Sequence, residues 1–157
     1  MLLLLTALVL ALGSCRSSEP AKIGTTAPDF TVSDGQKTVQ LSQFRGKPVL
    51  LNFWATWCPP CVEEVPSLVA LQGQLGDKVT ILAVSMDVDE EAYKAFTAKK
   101  MPGVLTVRDA NHKSSEMYGT FAYPESFLID KDGKIQRKFI GAVAWTSPEM
   151  MEYFKKL

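Results

Sequence analysis

Six consecutive residues, Val49-Leu50-Leu51-Asn52-Phe53-Trp54, constrain this chain more than any other stretch. A continuous, largely apolar run of that length, introduced by Lys47-Pro48, reads as a strand buried on both faces. Such a strand needs a layer of structure above it and another below. Downstream, Val65, Leu68, Val69, Leu71 and Leu75 recur at three- and four-residue spacings, which predicts a helix from Cys58 to about Leu75, kinked at Pro66 and ended by Gly76. Val79 to Val84 forms a second apolar strand. Asp87 to Glu90 then opens a helix through Lys100, with acids at its start and lysines at its end, as the helix dipole favours.

Shorter elements complete the pattern. Val39 and Leu41 alternate with polar neighbours as a strand does, Val104 to Val107 and Ser126 to Ile129 are further strands, and Asp132-Gly133 turns the chain into Ile135 to Ile140. Ser147-Pro148-Glu149 caps a last helix whose apolar side is Met150, Met151, Phe154 and Leu157. Strand, helix, strand, helix, strand hairpin and helix imply parallel strands with helical crossovers and an antiparallel edge. The expected fold is therefore a three-layer α/β sandwich, a mixed central sheet with helices on both faces.

With 157 residues the chain supports one domain with a substantial core. Seventeen basic residues balance seventeen acidic ones, so no overall field draws nucleic acid, and partner choice rests on a local surface. The first fourteen residues carry no charge, and Leu2 to Leu12 is nearly unbroken Leu, Ala and Val. That run is shorter than the roughly 20 residues that span a bilayer as a helix, so 1–14 reads as an export signal, although no Lys or Arg precedes it. Leu12-Gly13-Ser14-Cys15 resembles a bacterial lipobox, which implies acylation of Cys15. Residues 15–22 then form a tether and 23–157 the domain.

Removing Cys15 by lipidation leaves two cysteines, Cys58 and Cys61. A bridge spanning only Pro59-Pro60 closes too short a loop to staple a fold, so the pair reads as catalytic or metal-binding. Both prolines suit a first helical turn, where a missing N–H costs nothing. Cys58 at the helix start is the expected attacking thiolate, favoured by the positive end of the dipole, and Cys61, one turn further in, resolves the mixed disulfide.

Trp54-Ala55-Thr56-Trp57-Cys58-Pro59-Pro60-Cys61, with Tyr123-Pro124-Glu125-Ser126-Phe127-Leu128-Ile129-Asp130, resembles the TlpA/ResA-like membrane-anchored thioredoxins. The likeness extends over most of 23–157, including Ala27-Pro28-Asp29-Phe30 and Phe44-Arg45-Gly46-Lys47. It implies a thioredoxin-like fold and thiol–disulfide oxidoreductase activity without a cofactor or metal. It also implies a cis peptide before Pro124 facing the cysteines and Glu64 as an acid–base group beside them. Trp57, Pro59, Pro60, Tyr123 and Pro124 are the expected client-binding residues. The implied setting is a lipid-anchored monomer facing the periplasm or extracytoplasmic space, fed by a membrane-embedded electron donor and acting on protein clients such as apocytochrome c. Two prolines offer Cys58 no N–H, and a negative Glu64 opposes a second charge, so a reductant is expected rather than an oxidant.

Other readings stand beside this one. Cys58 and Cys61 as thiolates also suit a copper or zinc carrier, although zinc wants four ligands. The segment from Ala27 to Phe53 also resembles the start of peroxiredoxins, but their P-x-x-x-T/S-x-x-C pattern is missing around Cys58 and Cys61. Trp54 and Trp57 also read as core aromatics, and Glu63 and Glu64 as solvated surface. His112, in Asp109-Ala110-Asn111-His112-Lys113, reads as an exposed loop residue.

Overall fold

The computed structural model describes residues 21–156. The expected signal 1–14, Cys15, nearly all of the tether, and Leu157 of the last helix lie outside them. β1 (Thr31–Ser33) and β2 (Thr38–Gln40) pair as a short antiparallel hairpin with Val32 opposite Val39. The alternation at Val39 and Leu41 does not continue as one strand. Asp29 accepts hydrogen bonds from the Ser42 N–H and the Gln40 side chain, and Leu41 opens a 3₁₀ turn through Phe44.

The apolar run becomes β3 (Val49–Trp54), buried at every position. It lies parallel to β4 (Thr80–Ser85), with Val49 opposite Thr80, and antiparallel to β6 (Glu125–Ile129), with Asn52 opposite Ser126. β5 (Leu105–Arg108) and β7 (Ile135–Ile140) complete the order β5-β4-β3-β6-β7. Strand ends shift by about one residue from the sequence expectation, as ends do. The helices are α1 (Pro59–Leu75), α2 (Glu90–Lys100), a short α3 (Lys113–Met117) and α4 (Pro148–Phe154). Asp89 caps α2 by accepting from the Ala92 N–H, and Ser147 caps α4 through Met150.

Because strand side chains alternate, Asn52 and Trp54 point to one face of the sheet and Phe53 to the other. On the first face Trp54 meets Phe96 of α2 at 5.4 Å between ring centres, and Asn52 meets α1. On the second, Phe53 packs edge-on against Tyr118 and Phe127, and Phe30 closes over Tyr118. Both faces are thus covered, which explains why β3 carries so little polarity. Trp54 is core; Trp57 is 60% exposed.

The His112 expectation needs correction. Asp109 accepts from both the N–H and the hydroxyl of Ser114, curling the loop into α3, which the sequence did not announce. His112 then takes a left-handed backbone (φ 58°), is half-buried, and its Nε2 donates to the Met86 carbonyl at 2.9 Å.

Candidate active site

The C-terminal ends of β3 and β4 and the start of β6 meet at one edge of the sheet, and the loop after β3 carries Trp57 and Cys58 there. Cys58 has extended backbone and caps α1; Pro59 and Pro60 fill the first helical positions, and the Cys61 N–H donates to Cys58 Sγ at 3.3 Å. The sulfurs are joined as a disulfide, with Cα atoms 5.3 Å apart. Both are buried, Cys58 at 5% exposure and Cys61 at 1%, so the expected reach of Cys58 to solvent is a narrow one in the oxidised state.

The Tyr123–Pro124 peptide is cis, and the Tyr123 carbonyl oxygen lies 3.4 Å from Cys58 Sγ. Tyr123 is held from two sides: its ring stands edge-on to Trp57 at 6.1 Å, and its hydroxyl lies 3.2 Å from Ser115 Oγ of α3. Pro59 and Pro60 are exposed beside them, whereas Pro124 is buried. Four of the five expected client-binding residues therefore keep some exposed surface around the sulfurs.

Glu64 is buried, not solvated, while Glu63 is exposed. The turn of α1 that follows Cys61 aims its carboxylate inward. Oε1 accepts from the Val143 N–H at 3.0 Å and the Trp145 indole N–H at 2.6 Å; Oε2 accepts from Asn52 Nδ2 at 3.2 Å. Burial pushes its pKa up to about 7, and the hydrogen bonds from Val143, Trp145 and Asn52 pull the other way without prevailing.

A second buried carboxylate braces the loop from below. Asp87, just beyond β4, accepts from the Thr56 N–H at 3.1 Å, the Thr56 hydroxyl at 2.6 Å and the Ser85 hydroxyl at 2.6 Å. Behind Pro124, Glu125 is buried against the Thr120 hydroxyl and Lys138 Nζ, the latter at 2.7 Å.

Sequence reasoning singled out the cysteines, Glu64 and the Tyr123-Pro124 pair, but gave no role to Asn52, Asp87, Val143 and Trp145, which the fold places around them. Asn52 carried a usable signal, a lone polar residue in a doubly buried strand. Trp145 lies 81 residues from its partner, and nothing local marks it. Among the described residues, no group of three His, Cys, Asp or Glu side chains is placed to hold a metal ion. A cavity of about 600 Å³ lies elsewhere, lined by Asp34, Arg108 and Lys113 among others, and includes neither cysteine.

Residues 22–154 match the redoxin family. The chain is 37% identical over 150 residues to the thiol-disulfide oxidoreductase ResA of Bacillus thuringiensis subsp. konkukian, covering 92% of this chain and 84% of that protein. It is 36% identical over 131 residues to the thioredoxin-like protein YneN of Bacillus subtilis, covering 81% and 75%. Among solved structures, the thioredoxin domain of a thiol-disulfide oxidoreductase from Bacteroides vulgatus superposes with a TM-score of 0.74 at 28% identity, covering 86% of this chain and 96% of that one. The exposed lipoprotein thioredoxin Etrx1 of Streptococcus pneumoniae superposes with a TM-score of 0.69 at 29% identity, covering 83% and 100%.

Proposed function

The chain belongs to the redoxin family and is a thioredoxin-fold thiol–disulfide oxidoreductase, and from that premise we propose that it reduces protein disulfides outside the cytoplasm. The observation that carries the direction is the sparse support for charge on Cys58: one backbone N–H, from Cys61, with two prolines between. A strong oxidant of this fold owes its potential to a well-stabilised thiolate. Here stabilisation is modest, and a buried carboxyl on the same helix opposes it further.

In the reduced protein the Cys58 thiolate attacks one sulfur of a client disulfide. The client S–S bond breaks, a Cys58–client disulfide forms, and the departing client thiolate takes a proton. Cys61 then attacks Cys58 Sγ while its thiol proton passes to the Glu64 carboxylate. The second client thiolate leaves and takes the proton from Glu64, and the Cys58–Cys61 disulfide remains. A carboxyl with a pKa near 7 suits this work, because both its forms are populated at neutral pH. A membrane-embedded dithiol donor restores the starting state with two electrons, one of its protons passing to Cys61 and the other to solvent.

Trp57, Pro59, Pro60, Tyr123 and Pro124 would meet the client, for which apocytochrome c thiols are the proposed class. The proposed site of action is the outer face of a membrane, with the protein held by lipid on Cys15. The likeness to a pneumococcal protein described as an exposed lipoprotein supports this placement. One acyl chain holds only marginally, so two or three are expected.

Equilibration with glutathione or dithiothreitol tests the direction. A potential near that of thioredoxin, about −270 mV, is expected; one above about −180 mV would make oxidase or isomerase the better reading. Mixed disulfides trapped on a Cys61→Ala variant in cells would identify the client.

A further inference from the structure

Glu64 presents a problem of hydrogen inventory. As a carboxylate it accepts three hydrogen bonds, and two of the donors, the Val143 N–H and the Trp145 indole N–H, have nothing to offer a proton in return. A buried carboxylic acid needs an acceptor for its O–H. Oε1 already faces two donors, which leaves Oε2 as the oxygen to be protonated. Its partner there is Asn52, whose amide has both a donor and an acceptor end.

Two further facts concern Asn52. It is fully buried, and its Oδ1 has no hydrogen-bond partner, in a strand that is otherwise apolar. Its Nδ2 donates a second hydrogen bond to the Ser126 hydroxyl at 2.9 Å, and a hydroxyl can exchange accepting for donating by rotating. A half-turn of the amide would place Oδ1 where Nδ2 now lies, facing both Glu64 Oε2 and Ser126 Oγ.

We propose that Asn52 is a positioning residue for proton exchange at Glu64: one orientation of its amide donates to the carboxylate, and the reversed orientation accepts from the carboxylic acid, with Ser126 turning from acceptor to donor. The inference rests on the acid–base reading of Glu64. Every other group hydrogen-bonded to that carboxyl is uncharged: Val143 and Trp145 from the loop before α4, and Ser126 of β6 through Asn52. On α1 itself the neighbouring titratable groups are Cys61 and the exposed Glu63. The reversing amide is therefore the element that gives the carboxylic O–H an acceptor, and its N–H donors then occupy the place where Oδ1 now lies without a partner.

The chain has two asparagines, Asn52 and the exposed Asn111, so asparagine labelled with ¹³C in its side-chain carbonyl gives two infrared bands. On the oxidised full domain, taken from about pH 9 to about pH 5 to bracket Glu64, the buried band should move to lower wavenumber as Oδ1 gains a hydrogen bond. It should follow the Glu64 carboxyl band and stay still in Glu64→Gln. A buried asparagine band that does not move while Glu64 titrates overturns the proposal and leaves the acid–base role standing. A carboxyl band that does not titrate overturns both, while the disulfide activity of the cysteines is unaffected. Midpoints give a second reading. Trp145→Phe removes a donor whose bond to Oε1 is stronger in the charged form than in the acid, and should raise the Glu64 midpoint by about one unit. Asn52→Leu removes a partner from both forms and should move it by less than about half a unit. An Asn52→Leu midpoint that rises as far as that of Trp145→Phe makes Asn52 a fixed donor and overturns the reversal.

Discussion

The indole N–H of Trp145 donates to Glu64 Oε1 at 2.6 Å, joining the loop before α4 to the turn of α1 that follows the cysteines. The Val143 N–H converges on the same oxygen, and the Ser67 hydroxyl donates to the Val143 carbonyl at 3.1 Å. The C-terminal loop is thereby tied to α1 at three points. Geometry at a buried carboxyl near the cysteines thus depends on the last strand–helix connection of the chain.

A first prediction concerns stability and pH. Glu64 holds its proton more tightly when folded, with a pKa near 7 against an ordinary 4.5. Its contribution is therefore full below about pH 4.5 and is lost as pH rises through about 7, a change of up to about 3 kcal/mol. Denaturant unfolding of wild type against Glu64→Gln should show the two curves diverging over that window. Parallel curves would mean that Glu64 ionises as an ordinary carboxyl.

Kinetics at the sulfurs supply a second. In the reduced protein Cys58 should be alkylated about tenfold or more faster than Cys61, since it caps the helix and keeps the larger share of exposure. Mass spectrometry of partially labelled protein reads the ratio directly. Equal labelling would remove the division into attacking and resolving cysteines.

Asp87 carries the third. Asp87→Ala leaves the Thr56 N–H and two hydroxyls without their acceptor, at a cost of about 3 kcal/mol in denaturant unfolding, while Asp87→Asn should cost less because one acceptor oxygen remains. Equal costs for the two variants would show that charge, rather than acceptor count, matters at this position.

Trp57 carries the fourth. Its exposed ring, set edge-on to Tyr123, offers apolar surface beside Cys58. Trp57→Ala should lower kcat/KM on a protein disulfide about tenfold, as loss of an aromatic anchor does, and lower it much less on a small aromatic disulfide. The same loss on both substrates would point to an effect on the thiols rather than on client contact.

Much of the architecture was legible because its signals are local. An unbroken apolar run marks a doubly buried strand, two prolines after a cysteine mark a helix start, and Asp132-Gly133 marks a turn, since each depends on φ/ψ preference or burial over a few residues. α3 escaped notice because it is made by Asp109 reaching forward to Ser114, in a stretch with no hydrophobic period. The first strand of the N-terminal hairpin is three residues long, too short for alternation to register.

The cysteines and their spacing were determined by the sequence alone, and so was the helix face that carries Glu64. Whether that carboxyl was solvated or buried was decided only when Val143 and Trp145, 79 and 81 residues away from it, closed over Oε1. Hydrogen bonding to a buried group is a property of whatever the fold brings within about 3 Å, and no local pattern encodes it. The same holds for Asn52 opposite Ser126 and for Asp87 beneath Thr56. Backbone preference and apolar periodicity placed the sulfurs at a helix start; long-range packing set the electrostatics around them.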